Sequence, residues 1–531
     1  MSLRQFKNEW FNHSEWWFSA TSQVDHYLTD TYQHLGSIPI KEDWTIEEKI
    51  AGILVHDQLA RHIVRTLHLD PSTIQDHLKK ALQLSHQVIQ EAKCIQKEQL
   101  TQGSLLWKEW CFVMLPFRHD FQIPMIDEIL SCIWNALLYI NLTDEDRALL
   151  QRYLKATYQR FPMLPVEQSK GNKEQWTRHR SICEYMPQDI SPPNFHLIRE
   201  SSIGQVFKTV EDPILVSLSG GVDSMVCLLA MKAWNKKVVA VHINYDNRPD
   251  CTQEQALVED WCAYLEIPCW TRVIREIHRT DCMKMNLRDI YESYTKKVRF
   301  GSYQQVWNTL SKSTPKVILG HHLDDCMENV LTNIMASTKY NDLYGMEYQR
   351  VQDNICLVRP LLTIHKHEIV RFAHSFQVPY LCDSTPEWSS RGQLRDSVLP
   401  ALKQWIGEQK LVSGFKELND ACQEMNQIIQ QMVQEWKHKF IPISPHKWQL
   451  HLNYTEVPKS KIFYRNFFAQ MWSIYPTYRS IQEMISRIHK LEHKWFQIQP
   501  NTKMYCNVTK ELLLEWIKRG DTKLEWNWIQ I

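Results

Sequence analysis

The residues best suited to chemistry form a short loop of serines and glycines with one carboxylate, Ser219-Gly220-Gly221-Val222-Asp223-Ser224. An apolar run precedes this loop, and residues with helical apolar spacing follow it. Paired glycines let the backbone turn sharply and approach a ligand, while the first N–H groups of a helix and the serine hydroxyls attract an anion. No lysine follows the glycines, so this is not a Gly-x-x-x-x-Gly-Lys-Ser/Thr loop. The pattern predicts a phosphate-binding cradle, with a plain helix cap as the alternative.

A second polar segment follows the apolar run at 316–319 and contains three carboxylates. Within it Asp325 and Glu328 stand three residues apart, so on a helix they share one face and could together receive an ammonium group. The alternative is a solvated acidic helix start that the helix dipole favours. The full segment reads Gly320-His321-His322-Leu323-Asp324-Asp325-Cys326-Met327-Glu328-Asn329.

A parallel sheet must position these segments, because the chain alternates short β-rich runs with helical stretches from residue 213 to about 380. That alternation is typical of βαβ units. Residues before about 200 show helical periods with hardly any strand signal, and Pro187, Pro192 and Pro193 mark the boundary. We therefore predict a multidomain chain with an all-α domain at 1–200, an α/β domain with a parallel sheet at 205–403, and an α then α+β region at 404–531. The expected strands cover 214–218, 238–243, 270–274 and 316–319.

The composition excludes several classes of protein. Hydrophobic residues make up 44% and charged residues 23% of the 531 residues, and no run is long and apolar enough to span a bilayer. The 14 cysteines include no Cys-x-x-Cys pair, which argues against a zinc ribbon or an iron–sulfur site. The N-terminus lacks the apolar stretch of a secretory signal, so we expect a cytoplasmic protein without a membrane partner. A net charge of +1 neither indicates nor excludes a nucleic-acid partner.

The loop Ser-Gly-Gly-x-Asp-Ser after a strand resembles the PP-loop motif of enzymes that split ATP into AMP and pyrophosphate. Further segments resemble the tRNA(Ile)-lysidine synthetase family over about residues 200–520. Residues 320–329 nearly repeat its Gly-His-His-x-Asp-Asp-x-x-Glu-Thr, and residues 292–300 are similar to its Glu-x-x-Ala-Arg-x-x-Arg-Tyr helix. His242, Asn244 and Arg248 match its strand-end motif, as do Arg391 and Arg395 its Arg-Asn-x-Ile/Val-Arg. Pro386 and Gly392 stand where the family has asparagines.

This resemblance implies an adenine-nucleotide alpha-hydrolase-like fold and a role for each matching residue. The catalytic residues would be Asp223, Arg299, Asp325 and Glu328, with Asp223 also acting through Mg²⁺. The contacts to tRNA or substrate would come from Arg248, Lys296, Arg391 and Arg395. The ATP site would be formed by Ser219, Gly220, Gly221, Val222, Asp223, Ser224, His242, Gly320 and His321.

The implied reaction is an ATP-dependent carbon–nitrogen ligation on tRNA. ATP adenylates the wobble cytidine of a tRNA(Ile) with a CAU anticodon, and the ε-amine of L-lysine then displaces AMP. ATP and Mg²⁺ are the implied cofactors, tRNA and lysine are the partners, and a homodimer is left open. Two alternatives stay open: another PP-loop tRNA-modifying ligase or thiolase, and a tRNA-binding scaffold that has lost catalysis.

The N-terminal third resembles a bacterial family of TPR-like helical proteins without an assigned activity. The segments that carry this resemblance are 15–18, 56–65 and 112–119. Their polar residues either line a groove or form a buried ion-pair network that orients the helices. These residues are Asp57, Gln58, Arg61, Arg65 and His119.

Overall fold

The chain divides into two compact units in the computed structural model. The first unit combines residues 1–129 with 425–531, and the second covers residues 130–424. The predicted combination of a helical N-terminal region, a mostly parallel α/β domain and a partly helical C-terminal region is confirmed. The residue bounds predicted for three domains stay a prediction. The structure describes residues 2–17, 22–95, 107–139, 142–188, 191–335, 343–382, 390–444, 447–450, 459–472, 475–489, 494–499, 502–508 and 512–518.

Helices build the N-terminal part of the first unit, and their apolar faces form a core that includes Trp10, Leu54 and Phe117. A π-helical segment, Leu54–Leu59, lies between two of these helices. The helix α3 starts with a capping box in which the Thr45 hydroxyl accepts from Glu48 N. The helices are α1 (Leu3–Asn12), α2 (Ser22–Tyr32), α3 (Ile46–Ile53), α4 (Ala60–Thr66), α5 (Thr73–Ile95), α6 (Trp107–His119) and α7 (Ile123–Tyr139), which continues into the second unit.

The second unit is built on a sheet whose central strands are parallel. Its order is β1-β5-β4-β3-β6-β8-β7, with β1 and β7 antiparallel at the edges. The chain winds outward from β3 in one direction through β4 and β5, and in the other direction through β6 and β8. A crevice therefore opens at the carboxyl ends of β3 and β6, where ligands bind in such sheets. The strands of this sheet are β1 (Glu167–Gln168), β3 (Ile214–Ser217), β4 (Val238–Asn244), β5 (Cys269–Val273), β6 (Lys316–Ile318), β7 (Gln349–Gln352) and β8 (Ile355–Val358). The strands β2 (Cys183–Tyr185) and β9 (Tyr380–Leu381) form a separate two-stranded sheet.

Helices cover the faces of this sheet and bury its continuous apolar strands, as parallel sheets require. The core combines α11, which is almost wholly buried, with Trp261 of α12 and Phe372 of α16. The helices of this unit are α8 (Asp144–Arg160), α9 (Phe195–Glu200), α10 (Ser202–Val206), α11 (Val222–Ala233), α12 (Cys251–Tyr264), α13 (Arg279–Lys284), α14 (Arg288–Asn308), α15 (Leu323–Met335), α16 (Lys366–Ser375), α17 (Ser390–Gln393), α18 (Leu399–Ile406) and α19 (Glu408–Lys439), which continues into the first unit.

The segment between α8 and α9 is part of the second unit and departs from the helical pattern expected there. Its strand β1 pairs with β5, and its strand β2 pairs with β9. Trp176 from this segment lies in the same core as the sheet and packs edge-to-face against Trp261, with 4.8 Å between ring centroids. Such short strands form because neighbouring strands offer backbone partners, which no local pattern reveals.

The C-terminal part of the first unit combines two helices with an antiparallel sheet in the order β10-β11-β14-β13-β12. Its elements are α20 (Lys461–Trp472), α21 (Tyr478–His489), β10 (Phe440–Ser444), β11 (Lys447–Leu450), β12 (Lys494–Gln499), β13 (Thr502–Val508) and β14 (Leu512–Lys518). In the part of the chain that the structure describes, each helix is too short or too polar to cross a bilayer.

Candidate active site

The serine–glycine loop lies where the crevice of the sheet predicts, directly after β3. Gly220 adopts φ +86°, a conformation that glycine tolerates, and an added Cβ there would stand 2.3 Å from Leu381 Cδ1. Ser219 and Ser224 face each other with their hydroxyl oxygens 3.1 Å apart, and Ser224 also donates to the Gly221 carbonyl at 2.9 Å. Gly221 caps α11 without a side-chain hydrogen bond, so the first amides of the helix can donate to an anion.

Gly320 brings the loop after β6 against this cradle. A Cβ on Gly320 would lie 2.9 Å from Asp223 Cβ and 3.0 Å from both the Asp223 carbonyl carbon and Ser224 N. Because these atoms belong to backbone or its first side-chain carbon, they cannot move aside cheaply. The close approach of the two loops therefore requires glycine at position 320.

Asp223 is paired with a residue that the sequence reasoning missed. Lys366 Nζ donates to both carboxylate oxygens of Asp223, at 2.8 and 2.7 Å. Lys366 is the first residue of α16, and its backbone N–H donates to Asp324 at 2.8 Å. A lysine at a helix N-terminus opposes the helix dipole. That misplaced charge is the sequence signal that a carboxylate partner lies nearby.

The two carboxylates Asp325 and Glu328 do share one face of α15, and both are almost fully buried. Arg391 Nε donates to Glu328 at 2.7 Å and its terminal nitrogen contacts Asp325. Arg395 Nε donates to the other Glu328 oxygen at 2.9 Å. Burial would raise the pKa of Asp325, but His322 and Arg391 outweigh it and lower that pKa. The acidic pair thus binds cations, which are guanidinium groups in this structure.

Three histidines surround the crevice, and two of them are held neutral. Burial lowers the pKa of His321 to about 4, and its Nδ1 accepts from Arg359 Nε at 3.1 Å. Burial also lowers the pKa of His242, whose Nδ1 donates to the Leu218 carbonyl at 2.8 Å. His322, which the sequence reasoning did not select, lies 3.8 Å from Asp223 and 3.5 Å from Asp325. Neutral rings here can serve as hydrogen-bond donors or acceptors without repelling a cation.

The remaining predicted residues lie on other elements. Arg299 of α14 has an Nε shielded from solvent and without an acceptor among the described residues, and Tyr303 one turn later donates to Ser217 Oγ at 2.6 Å. Arg248 pairs with Glu254 at 2.8 Å, and Lys296 pairs with Asp353 at 2.9 Å. Both cations are therefore paired with carboxylates other than Asp223, Asp325 and Glu328. The segment 383–386, including Pro386, lies outside the described residues.

A metal site at Asp223 stays a prediction. Mg²⁺ is commonly held by one or two carboxylates together with substrate phosphates, and the partly exposed carboxylate of Asp223 next to the phosphate cradle fits that requirement. Within the described ranges, another set of ligand atoms lies within 4.8 Å of one another, on His365, His367 and Glu408.

Comparison with known proteins gives two regions of similarity. Residues 196–402 match the family model of the PP-loop domain, and residues 6–184 match that of a bacterial protein of unknown function. The tRNA(Ile)-lysidine synthase of Chlamydia trachomatis serovar L2 is 32% identical over 196 residues, which cover 36% of this chain and 59% of that protein. The tRNA(Ile)-lysidine synthase of Oceanobacillus iheyensis is 27% identical over 246 residues, covering 44% and 51%. The chain therefore spans less than two thirds of the length of these relatives.

A solved structure, the U34-tRNA thiolase NcsA from Methanococcus maripaludis with its [4Fe-4S] cluster, aligns with a TM-score of 0.31 at 19% identity. That alignment covers 43% of this chain and 80% of the thiolase. So low a score supports no argument about this chain.

Proposed function

We propose that this chain, whose residues 196–402 are a PP-loop domain, is an ATP-dependent ligase of the tRNA(Ile)-lysidine synthetase type. The observation that carries the proposal is that two loops meet in the crevice at the carboxyl ends of β3 and β6. The phosphate cradle after β3 and the acidic helix after β6 are in direct contact there through Gly320. One site thus combines groups for a polyphosphate with groups for an amine.

In the first step, the wobble cytidine attacks the α-phosphate of ATP and pyrophosphate leaves. The N-terminal amides of α11 and the hydroxyls of Ser219 and Ser224 hold the polyphosphate. A Mg²⁺ ion held by Asp223 would offset the negative charge of the phosphates. The ammonium group of Lys366, which is paired with Asp223, would supply a second positive charge to the same phosphates. Arg299, whose Nε has no acceptor among the described residues, supplies a further positive charge for the reacting nucleotide.

In the second step, the lysine ε-amine forms a bond to C2 of the cytosine and AMP leaves with the former O2. The amine arrives as a cation, and the buried pair Asp325 and Glu328 attracts it. Arg391 and Arg395 together already neutralise this pair, yet the Arg391 side chain is 54% exposed and can move into solvent. We infer that lysine replaces one guanidinium, and that Arg391 and Arg395 then contact tRNA phosphates. A carboxylate next to the bound amine can accept its proton before attack.

The identity of the substrates rests on the likeness to tRNA(Ile)-lysidine synthases. We therefore propose tRNA(Ile) with a CAU anticodon and L-lysine as partners, Arg248 and Lys296 as further tRNA contacts, and the cytoplasm as the location.

The test is mass spectrometry of nucleosides from tRNA incubated with the protein, ATP, Mg²⁺ and lysine. A lysidine peak is expected with the wild-type protein and should vanish in Asp223→Ala. Other amines or sulfur donors in place of lysine would reveal a different PP-loop ligase or thiolase. Pyrophosphate release without lysidine would overturn the proposed substrate, and continued release by Asp223→Ala would overturn the phosphate cradle.

A second candidate is a tRNA-binding scaffold without catalysis. The guanidinium pairs on Asp325 and Glu328 favour it, because they satisfy the very carboxylates that an amine would need. Such a protein would bind tRNA without releasing pyrophosphate from ATP, which the same incubation measures.

A further inference from the structure

Two histidines and a glutamate meet at the starts of two helices, and the proposed ligase reaction uses none of the three. His365 is the N-cap of α16, His367 is the second residue of that helix, and Glu408 is the first residue of α19. One ligand atom from each of the three side chains lies within 4.8 Å of the other two. Imidazole nitrogens together with a carboxylate oxygen are donors that zinc and other transition metals take from proteins.

The spacing of the three side chains is close to what a metal ion requires. Bonds of about 2.0–2.1 Å in a tetrahedral zinc site place the donor atoms about 3.3 Å from one another. The separations of at most 4.8 Å must therefore shorten by about 1.5 Å or less. The rings of His365 and His367 already stack, with 5.4 Å between centroids and 24° between planes. His367 and Glu408 are exposed, so their side chains are free to turn toward an ion.

His365 supplies a second, independent observation. Its Nδ1 atom is shielded from solvent and has no hydrogen-bond partner among the described residues. A carboxylate oxygen of Asp324 lies 3.6 Å from this atom. A histidine that binds a metal through one ring nitrogen usually directs the N–H of the other toward a carboxylate, which fixes the ring. An ion on Nε2 of His365 would leave the Nδ1–H facing Asp324 in this way.

Glu408 is ionised, as a metal ligand must be. Its Oε1 accepts from Lys403 Nζ at 2.7 Å, and this hydrogen bond lowers the pKa of the Glu408 carboxyl. The same ammonium group contacts Asp324 Oδ1 at 3.3 Å. Because 44% of the Glu408 side chain and 29% of the Lys403 side chain are exposed, their ion pair contributes little to stability. A divalent ion can therefore replace Lys403 on Glu408, while Lys403 keeps Asp324 as its partner.

We propose that His365, His367 and Glu408 bind one transition-metal ion, of which zinc suits these ligands best. Three protein ligands leave a fourth position for water. The ion joins the start of α16 to the start of α19 and so fixes the helix start that carries Lys366, the partner of Asp223. Mg²⁺ prefers oxygen donors, so this site differs in chemistry from the magnesium site predicted at Asp223.

Metal uptake by the full-length protein tests this proposal. Chelator-treated protein is titrated with Zn²⁺ against a chromophoric chelator, in excess Mg²⁺ so that sites built from oxygen donors stay filled. His367→Gln and Glu408→Gln should each weaken the binding of one Zn²⁺ ion about tenfold or more. His196→Gln is the matched control, because His196 is an exposed histidine on α9 of the same compact unit. That control should bind Zn²⁺ as the wild-type protein does.

Co²⁺ in place of Zn²⁺ reports which atoms bind the metal. The chain has 14 cysteines, and thiolate ligands would add strong charge-transfer absorption to the cobalt spectrum. Visible cobalt bands without that absorption, present in the wild-type protein and in His196→Gln but lost in His367→Gln, support the proposal.

Equal Zn²⁺ affinity of the wild-type protein and either His367→Gln or Glu408→Gln overturns the proposed set of ligands. A cobalt spectrum that His367→Gln leaves unchanged also overturns it. His367 is exposed, so His367→Gln should retain the helical circular dichroism and keep the comparison valid. Lysidine formation is measured independently, so failure here leaves the ligase proposal unaffected.

Discussion

At the scale of single residues, the site is assembled from opposite charges that neutralise one another. Asp223 binds Lys366, and the pair Asp325 and Glu328 binds Arg391 and Arg395. Partly exposed cations therefore accompany each carboxylate that the proposed chemistry needs. Ligand binding at such a site is an exchange of ion pairs, which costs less than burying a new charge alone.

Glu328→Gln tests this exchange. Pyrophosphate release should continue, whereas half-maximal lysine transfer should require about tenfold more lysine or above, because one of the two charges that attract the amine is gone. The free energy of unfolding should fall by about 1–3 kcal/mol, less than for a fully buried pair, since Arg391 can turn to solvent. Single-turnover assays that follow pyrophosphate and labelled lysine separately measure both steps.

For Glu328→Gln the control is Glu417→Gln, an exposed change on α19. Equal loss of both signals with weaker ATP binding would assign Glu328 to the nucleotide instead.

The histidine pair of the helical unit predicts a pH dependence of stability. His56 Nδ1 and His77 Nδ1 lie 2.8 Å apart, so one ring must be an acceptor. Burial lowers the pKa of His56 to about 4 from 6.5. The unfolded chain then binds the proton more tightly, so this stability is fully present above pH 6.5 and is lost as the pH falls toward 4. We expect about 3 kcal/mol of loss at most. Calorimetry at stepped pH should show a smaller loss in His56→Gln but an unchanged loss in the control His438→Gln.

At the scale of elements, the sheet positions the loops after β3 and β6, and the helices that follow orient the side chains of the candidate site. The strand, turn and helix around residues 219–224 could be predicted because their signals are local: an apolar run, paired glycines and helical spacing. Lys366 and the pairing of Arg391 with Asp325 could not, because they join residues far apart in the chain. Likewise β8 is not among the expected strands, because its four apolar residues form a run too short to be told from a buried helix segment by periodicity alone.

Gly320→Ala tests whether contact between the two loops builds the site. The added methyl would press on backbone atoms at 2.9 to 3.0 Å, so the loops must separate. We expect ATP affinity, measured by calorimetry, to fall about tenfold or more while the helical circular dichroism is retained. Gly414→Ala is the control, because an added Cβ there meets nothing within 4 Å inside α19. That control should leave ATP binding unchanged and stabilise the helix by about 0.5–1 kcal/mol. Unaltered ATP affinity in Gly320→Ala would contradict the role of the contact.

At the scale of the whole molecule, the α/β unit extends beyond the region that carries the chemical motifs. Lys297 Nζ donates to the carbonyls of Gln159 and Phe161 at 2.8 and 2.7 Å, so α14 caps the C-terminus of α8. Ser169 N donates to the Cys269 carbonyl at 2.8 Å beside the pairing of β1 with β5. These contacts tie residues before 190 to the sheet that positions the phosphate cradle.

Truncation distinguishes the residues that this unit needs from those it does not. A protein of residues 123–424 retains α7, α8 and the β1 edge, and we expect it to fold and to bind ATP within about threefold of the full chain. A protein of residues 201–424 loses Trp176, which is 3% exposed, together with β1 and β2. Removing one buried tryptophan alone costs about 3–5 kcal/mol, a large part of the stability of a typical domain. The shorter protein should therefore aggregate or lose its thermal transition.

Size-exclusion chromatography and calorimetric ATP titration of both truncated proteins measure these outcomes. Equal folding and equal ATP affinity of the two would show that residues 123–200 are dispensable for the sheet.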